Sequence, residues 1–242
     1  MNKQSAIDNQ QLITFAALKL KYKMEKYDLL DIPHLIYVMD PMCSWCYGFA
    51  PVLDRLKKEQ EGKLNFKLIL GGLRSNTEPM DAENIAKTKQ HWQDVEQVTN
   101  QPFDYSFFNR TDFIYNTEPA CRAVVTMRYL QPETELEMAE KVQTAFYAGN
   151  NDVTNDVVLA EIASTFGIEE DAFLEKFNSD EMKEKTQQDF LIARRLQIVA
   201  FPSVYILNGH EVHLLSRGYR TYEAMNKLFE NAMKQINNPG QQ

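Results

Sequence analysis

The chain has 242 residues, 44% hydrophobic and 25% charged, enough material for a buried core in one large domain or in one domain carrying an insertion. A net charge of −8 repels phosphate backbones and excludes general nucleic-acid binding. Three cysteines do not make the disulfide framework of a small secreted domain, and no stretch approaches the roughly 20 apolar residues of a membrane span.

Residues 1–32 read as an N-terminal extension, helical or loosely ordered. Its apolar patch, Leu12 to Leu20, has only Lys3 ahead of it and runs into Lys19, Lys21, Lys23 and Lys26. A signal peptide has its charges first and a small-residue cleavage site after them, so the expectation is a cytoplasmic chain. His34 to Met39 (HLIYVM) is apolar throughout, as a strand buried on both faces is. A helical pattern follows, with Val52, Leu53 and Leu56 on one side and Lys57, Lys58 and Glu59 on another, stopped by Gly62. Leu64 to Leu70 is a second strand, broken by Gly71-Gly72. Strand, helix and strand make a βαβ unit, whose strands are parallel with a right-handed crossover.

From Pro79 to Ile198 the punctuation is helical. Pro79 and Pro119 fit first-turn positions, Thr134 with Glu137 fits a capping box, and Thr154 and Ser179 fit N-caps. Gly149 and Gly167 fit C-terminal stops, and a helix from Ser179 to about Gln197 closes the block. The aromatic-rich stretch from Gln101 to Asn116 reads as loop, its rings packing the helical block on the sheet. Strand character returns at Ser203 to Leu207, turns at Asn208-Gly209 and comes back over Glu211 to Leu215. Thr221 to Ile236 is a last amphipathic helix with Ala224, Leu228 and Phe229 inward, and the tail frays. The fold class is therefore α/β: a mixed sheet flanked by helices, built from residues 33–74 and 198–238, with a helical insertion over 75–197.

Two of the three cysteines, Cys43 and Cys46, stand in DPMCSWCYGFAP. A structural zinc needs four ligands, usually two CxxC-type pairs or one with paired histidines. The remaining ligands would be Cys121, His34, His91, His210 or His213, which form no second knuckle; His210 and His213, three apart in a strand, point to opposite faces. No metal site is expected. A structural disulfide across two residues constrains the unfolded chain little, and a reducing compartment keeps it open. The reactive reading fits best. Cys43 falls where a strand ends and a helix begins, where free N–H groups and the helix dipole stabilise a thiolate. Cys43 is the expected attacker and Cys46, one turn in, the resolver. Asp40 opposes thiolate formation if it lies close to Cys43. Cys121 reads as a buried structural cysteine, with a peripheral redox or resolving role as the sharper alternative. Trp45 and Tyr47 either present an apolar landing surface or, for Tyr47, pack under the helix.

A strand, a CxxC, a helix, a helical insertion and a late X-Pro before a strand together resemble the DsbA-like branch of the thioredoxin superfamily. The phrases DPMCSWCYGF, NTEPACRAVV and VAFPSVYIL resemble the FrnE-type, cytoplasmic members most. Pro51, five residues after Cys46, sits where the family's active-site helix has a proline. The resemblance implies a thioredoxin-like domain and a thiol–disulfide oxidoreductase acting on proteins or small thiols. It implies that Pro202 is the cis-proline facing the dithiol, with Phe201 free to pair through its backbone with an extended substrate. Ser44, Trp45 and Phe201 are the expected substrate-binding residues; Phe201 and the Ser44-Trp45 dipeptide depart from thioredoxin and DsbA and bear on potential and access. No cofactor is expected, with glutathione admissible as a co-substrate, and no nucleic-acid or membrane partner. Two alternatives stand. One is a glutathione-dependent transferase or isomerase of the kappa-class type, opposed by Cys43, because those enzymes typically carry serine there. The other is a non-catalytic adaptor or redox-sensing binding module.

Overall fold

The computed structural model describes residues 33–209 and 211–237. The expectations for residues 1–32, for the tail and for His210 lie outside the described residues. The apolar run His34–Met39 forms β1, the helical stretch Ser44–Glu59 forms α1, and Asn65–Leu70 forms β2. β1 and β2 pair in parallel, His34 opposite Asn65 and Met39 opposite Leu70. Six helices follow: α2 (Ala82–Thr99), α3 (Glu118–Leu130), α4 (Glu135–Tyr147), α5 (Asp156–Ser164), α6 (Glu170–Asn178) and α7 (Asp180–Arg195). The chain then returns to the sheet as β3 (Ser203–Asn208) and β4 (Glu211–Arg217) and ends in α8 (Tyr222–Asn237). The sheet is mixed, in the order β2-β1-β3-β4, with β3 antiparallel to both its neighbours.

The two faces of β1 serve different layers. Leu35, Tyr37 and Met39 join Leu68, Leu70, Val204 and Ile206 in the main core, which continues into α1, the middle helices and α8. Ile36 and Val38 face the other way and are covered by Ala193 and Leu196 at the end of α7. A strand buried on both faces has no polar side, hence the unbroken apolar run. The rings of the 101–116 stretch pack mainly inside the helical block rather than between it and the sheet: Trp92 lies 5.2 Å from Phe103 and 5.0 Å from Phe107, and Phe107 5.2 Å from Phe146, while Phe103 reaches Tyr47 of α1 at 5.4 Å. One 3₁₀ turn, Tyr105–Asn109, interrupts that loop.

Several local expectations are corrected. Pro79 precedes the helix; α2 starts at Ala82, and Asp81 caps it by accepting from the Asn84 N–H at 2.7 Å. The Thr134–Glu137 capping box is absent, because the Thr134 hydroxyl donates back to the Gln131 carbonyl at 2.9 Å. Asn155, not Thr154, caps α5; the Thr154 hydroxyl is taken by Asp152 at 2.6 Å. Ser179 does cap α7. Asn208 pairs with Glu211 and so belongs to β3 rather than to the turn. β4 runs on to Arg217 because a register shift opposite Val204/Tyr205 breaks its alternation and lets Leu214 face out while Leu215 and Ser216 are buried. In α8 the inward residues are Met225 and Phe229, and Ala224 is exposed.

Candidate active site

Cys43 is the N-cap residue of α1, with extended backbone (φ −97°, ψ 115°), and lies immediately beyond the end of β1. Its carbonyl accepts from the N–H groups of Cys46 and Tyr47, each at 3.0 Å, so the first turn is closed by main chain rather than by a capping side chain. The Cys43 N–H is itself held by the Asp40 carbonyl at 3.0 Å. Cys43 is 6% exposed and Cys46 fully buried, and both thiols are free. The two sulfurs are hydrogen-bond neighbours; burial first, then that contact, pushes the Cys46 thiol well above its ordinary value. The pair is therefore asymmetric: one cysteine caps the helix and is just reached by solvent, and the other lies fully buried one turn in with its thiol pushed up.

The helix that carries the pair is tailored in two places. Pro51 removes the N–H that would have bonded the Tyr47 carbonyl, and the Gln101 amide donates to that carbonyl instead, at 3.5 Å. Gly48 lets α2 approach: a Cβ there would stand 2.8 Å from Thr99 Cγ2 and 2.9 Å from Val95 Cγ1.

Aromatic residues surround the sulfurs. Tyr37, from β1, faces Cys46 with its hydroxyl, and burial followed by the nearby thiols raises its pKa well above the phenol range. The Tyr115 hydroxyl donates to the Met42 carbonyl at 2.7 Å, fixing the turn before Cys43. Tyr47 is buried and stacks on Tyr147 with ring centres 5.0 Å apart, so it packs under the helix rather than forming a landing surface. Trp45 is half-buried on the rim, against Tyr219 at 5.7 Å, with half-buried Ser44 beside it.

The Phe201–Pro202 peptide is cis. The Phe201 ring lies on Gly71, the residue that follows β2: a Cβ on Gly71 would sit 2.1 Å from ring atoms Cε1 and Cζ. Gly71 is thus needed for space, at a position where the sequence showed only a strand breaker. Its own N–H extends the sheet by donating to the Met39 carbonyl at 2.8 Å. The loop carrying Pro202 is thereby tied to the same end of the sheet as the dithiol.

Sequence reasoning missed Thr117, Leu73, Tyr37 and Tyr115 as neighbours of the site. Thr117 and Cys121, four apart and at the start of α3, share one helix face, a spacing that points to a common partner. That partner is Asp40, whose Oδ2 receives the Thr117 hydroxyl at 2.7 Å and the Cys121 thiol at 3.4 Å. Cys121 is fully buried, and its thiol is raised by burial and then by Asp40. Among the described residues no cluster of three or more histidines, cysteines, aspartates or glutamates is placed to hold a metal, and no helix is long and apolar enough to cross a membrane.

A family profile described as Thioredoxin matches residues 36–227. A crystal structure of a Nitrosomonas europaea protein, given the provisional name protein disulfide isomerase, is 37% identical and superposes with a TM-score of 0.79, over 85% of this chain and 99% of that one. The cytosolic disulfide reductase DsbM of Pseudomonas aeruginosa is 23% identical with a TM-score of 0.69, over 83% of this chain and 98% of its own. The ClpXP adapter protein SpxH of Shouchella clausii is 21% identical over 195 residues, 80% of this chain; the match spans 61% of that curated relative's length.

Proposed function

The chain belongs to the thioredoxin family, with a DsbA-like fold, and we propose that it is a thiol–disulfide oxidoreductase in which Cys43 attacks and Cys46 resolves. The observation that carries this reading is the asymmetric pair: Cys43 at the N-cap of α1 and just reached by solvent, Cys46 fully buried one turn in with its thiol pushed up. In the reducing direction the Cys43 thiolate attacks a substrate disulfide; one substrate sulfur joins Cys43 and the other leaves and takes a proton. Cys46 then gives up its proton, attacks the Cys43 sulfur and expels the second substrate thiol. Two electrons and two protons reach the substrate, and a Cys43–Cys46 disulfide remains. The oxidising direction is the reverse.

Substrates are proteins or small thiols. An extended chain would pair with the backbone at Phe201, beside Pro202, with Ser44 and Trp45 on the rim. Glutathione as a co-substrate is supported by a DsbM structure solved with it. The FrnE-type motif phrases and the similarity to a cytosolic disulfide reductase, DsbM, favour the cytoplasm.

The test is trapping. Cys46→Ser protein, offered an oxidised protein or glutathione disulfide, will accumulate a mixed disulfide on Cys43, located by peptide mapping; an adduct on Cys121, or none, contradicts the assignment. A second reading is favoured by the similarity to SpxH: a binding module that presents a partner. A partner retained by the Cys43→Ala, Cys46→Ala double variant, with no exchange activity in the unmodified protein, would establish it instead.

A further inference from the structure

The loop that follows β2 brings a cation to the dithiol turn. Gly71 donates its N–H to the Met39 carbonyl at 2.8 Å, and Leu73 donates its own to Asp40 Oδ2 at 2.7 Å, so residues 71–74 run beside the segment that leads into Cys43. The backbone of Arg74 is fixed: its N–H donates to Thr117 Oγ1 at 3.3 Å, and its carbonyl accepts from the Thr117 N–H at 3.0 Å. The Arg74 guanidinium lies over the face of Tyr115, 4.3 Å from the ring centre. The hydroxyl of that same ring donates to the Met42 carbonyl at 2.7 Å. One tyrosine therefore separates the Arg74 charge from the residue before Cys43.

A guanidinium has five N–H donors and pairs best with a carboxylate. Arg55, Arg122 and Arg128 each hold one. Arg74 is half-buried, yet its bonds go only to neutral groups, Nη1 to Met80 Sδ at 3.5 Å and Nη2 to Thr88 Oγ1 at 3.4 Å, both long. The carboxylates around it are engaged elsewhere. Asp40 accepts from four donors, Glu118 grips Arg122 at 2.9 Å, and Asp81 caps α2. Glu78 is exposed and makes no ion pair with Arg74 among the described residues. Leu73, Ser75, Asn76 and Thr77 are exposed, so the loop is open to solvent on its outer side.

We propose that Arg74 is a specificity-determining residue that anchors a substrate carboxylate beside the dithiol and so selects small anionic disulfides, glutathione disulfide being the class. In glutathione the glycine carboxylate stands one peptide unit from the cysteine, a separation of the same order as the tyrosine side chain between Met42 and Arg74. The chain as a whole carries a net charge of −8, which disfavours the approach of an anion. A cation without a carboxylate at the mouth of the site reverses that locally. The inference rests on the oxidoreductase reading and names the substrate class of the same site.

The experiment mixes reduced protein, unmodified or Arg74→Gln, with glutathione disulfide or with hydroxyethyl disulfide, which is neutral. Samples are quenched in acid, and the Cys43–Cys46 disulfide is followed by mass spectrometry. In each reaction the dithiol passes two electrons and two protons to one disulfide, which leaves as two thiols. The ratio of rate constants, glutathione disulfide over the neutral substrate, is expected to fall about tenfold in Arg74→Gln, the size of one lost hydrogen bond to a charged group. Arg74→Lys is expected to recover part of it. An unchanged ratio overturns the inference, including the case in which both rates fall together, which marks a structural residue. Where Arg74→Gln does not fold, salt added to the unmodified protein decides. With the anchor, salt lowers the ratio; without it, the net charge of −8 repels the anion and salt raises it. A ratio that salt raises or leaves unchanged overturns the inference. Unmodified protein that reduces neither disulfide sinks the oxidoreductase reading itself, an outcome told apart by the neutral substrate.

Discussion

Asp189 and Asp40 are both buried, both reach the β1–β2 end of the sheet and both are bonded to α3, but only Asp189 meets a cation there. Arg128 of α3 grips Asp189 with two bonds, Nη1 to Oδ1 at 3.0 Å and Nη2 to Oδ2 at 2.7 Å, and also donates to the Leu68 carbonyl at 3.2 Å. Asp189 accepts from the Leu70 N–H at 3.0 Å. Leu68 and Leu70 lie on β2, the edge strand among the described residues, so this ion pair caps that strand and fastens α3 and α7 to it. Glu135 of α4 completes the group as a second carboxylate on Arg128. Asp40, by contrast, is met by two amides, a hydroxyl and a thiol. The difference teaches how to read a buried charge. Where a cation meets it, the residue fastens helices to the sheet edge; where only dipoles surround it, it holds together the turn, the loop and the helix start that supply them.

The largest effect that probes this contrast is on stability. Arg128→Met strands Asp189 and Glu135 as buried carboxylates and is expected to cost about 3–5 kcal/mol in denaturant unfolding. The glutathione equilibrium of the folded variant is expected to stay where it was, because the bonds of Arg128 reach Asp189, Leu68 and Glu135 and neither cysteine of the dithiol; a clear movement would break the distinction between the two aspartates. Gly71→Ala tests the ground between them. Its Cβ would collide with the Phe201 ring, and the expected cost is about 1–3 kcal/mol, relieved in the double variant with Phe201→Val. A single and double variant of equal stability would mean that the ring does not lock that loop.

A pH effect sharpens the comparison further. Glu140 on α4 is raised to about 7, by burial first and then by Asp54 on α1. A carboxyl with a raised folded pKa binds its proton more tightly in the native state, so its contribution is present at low pH and fades as pH rises from about 4.5 towards 7. Unfolding midpoints measured across that window are expected to fall with rising pH, and Glu140→Gln to flatten the slope. The smallest effects concern caps: Asn155→Ala should cost about 1 kcal/mol, whereas Glu137→Ala, whose capping box does not form, should stay within about 0.5 kcal/mol.

The strands, the parallel β1–β2 pair and the strand–dithiol–helix junction were legible because each is a local pattern: apolar runs, glycine breaks and a CxxC. The N-caps were half legible, since neighbouring residues compete for the same role. Thr154 and Asn155 are both good caps, and only the diversion of the Thr154 hydroxyl to Asp152 decides between them. The surroundings of the dithiol were not legible. Asp40 meets Thr117 across 77 positions, and Arg128 meets Asp189 across 61. Such contacts are set by how helices pack on the sheet, which no local pattern encodes. Gly71 was visible as a break but not as the floor beneath Phe201, for the same reason.

The central claim is that Cys43 is the nucleophile and that Cys46 and Cys121 are screened. It is tested most directly by alkylating the fully reduced, native protein with iodoacetamide and following each cysteine by mass spectrometry. The account predicts that Cys43 reacts first, by about tenfold or more over the other two, with Cys121 modified only on unfolding. Equal rates at all three cysteines, or a Cys43 as protected as Cys121, would contradict it.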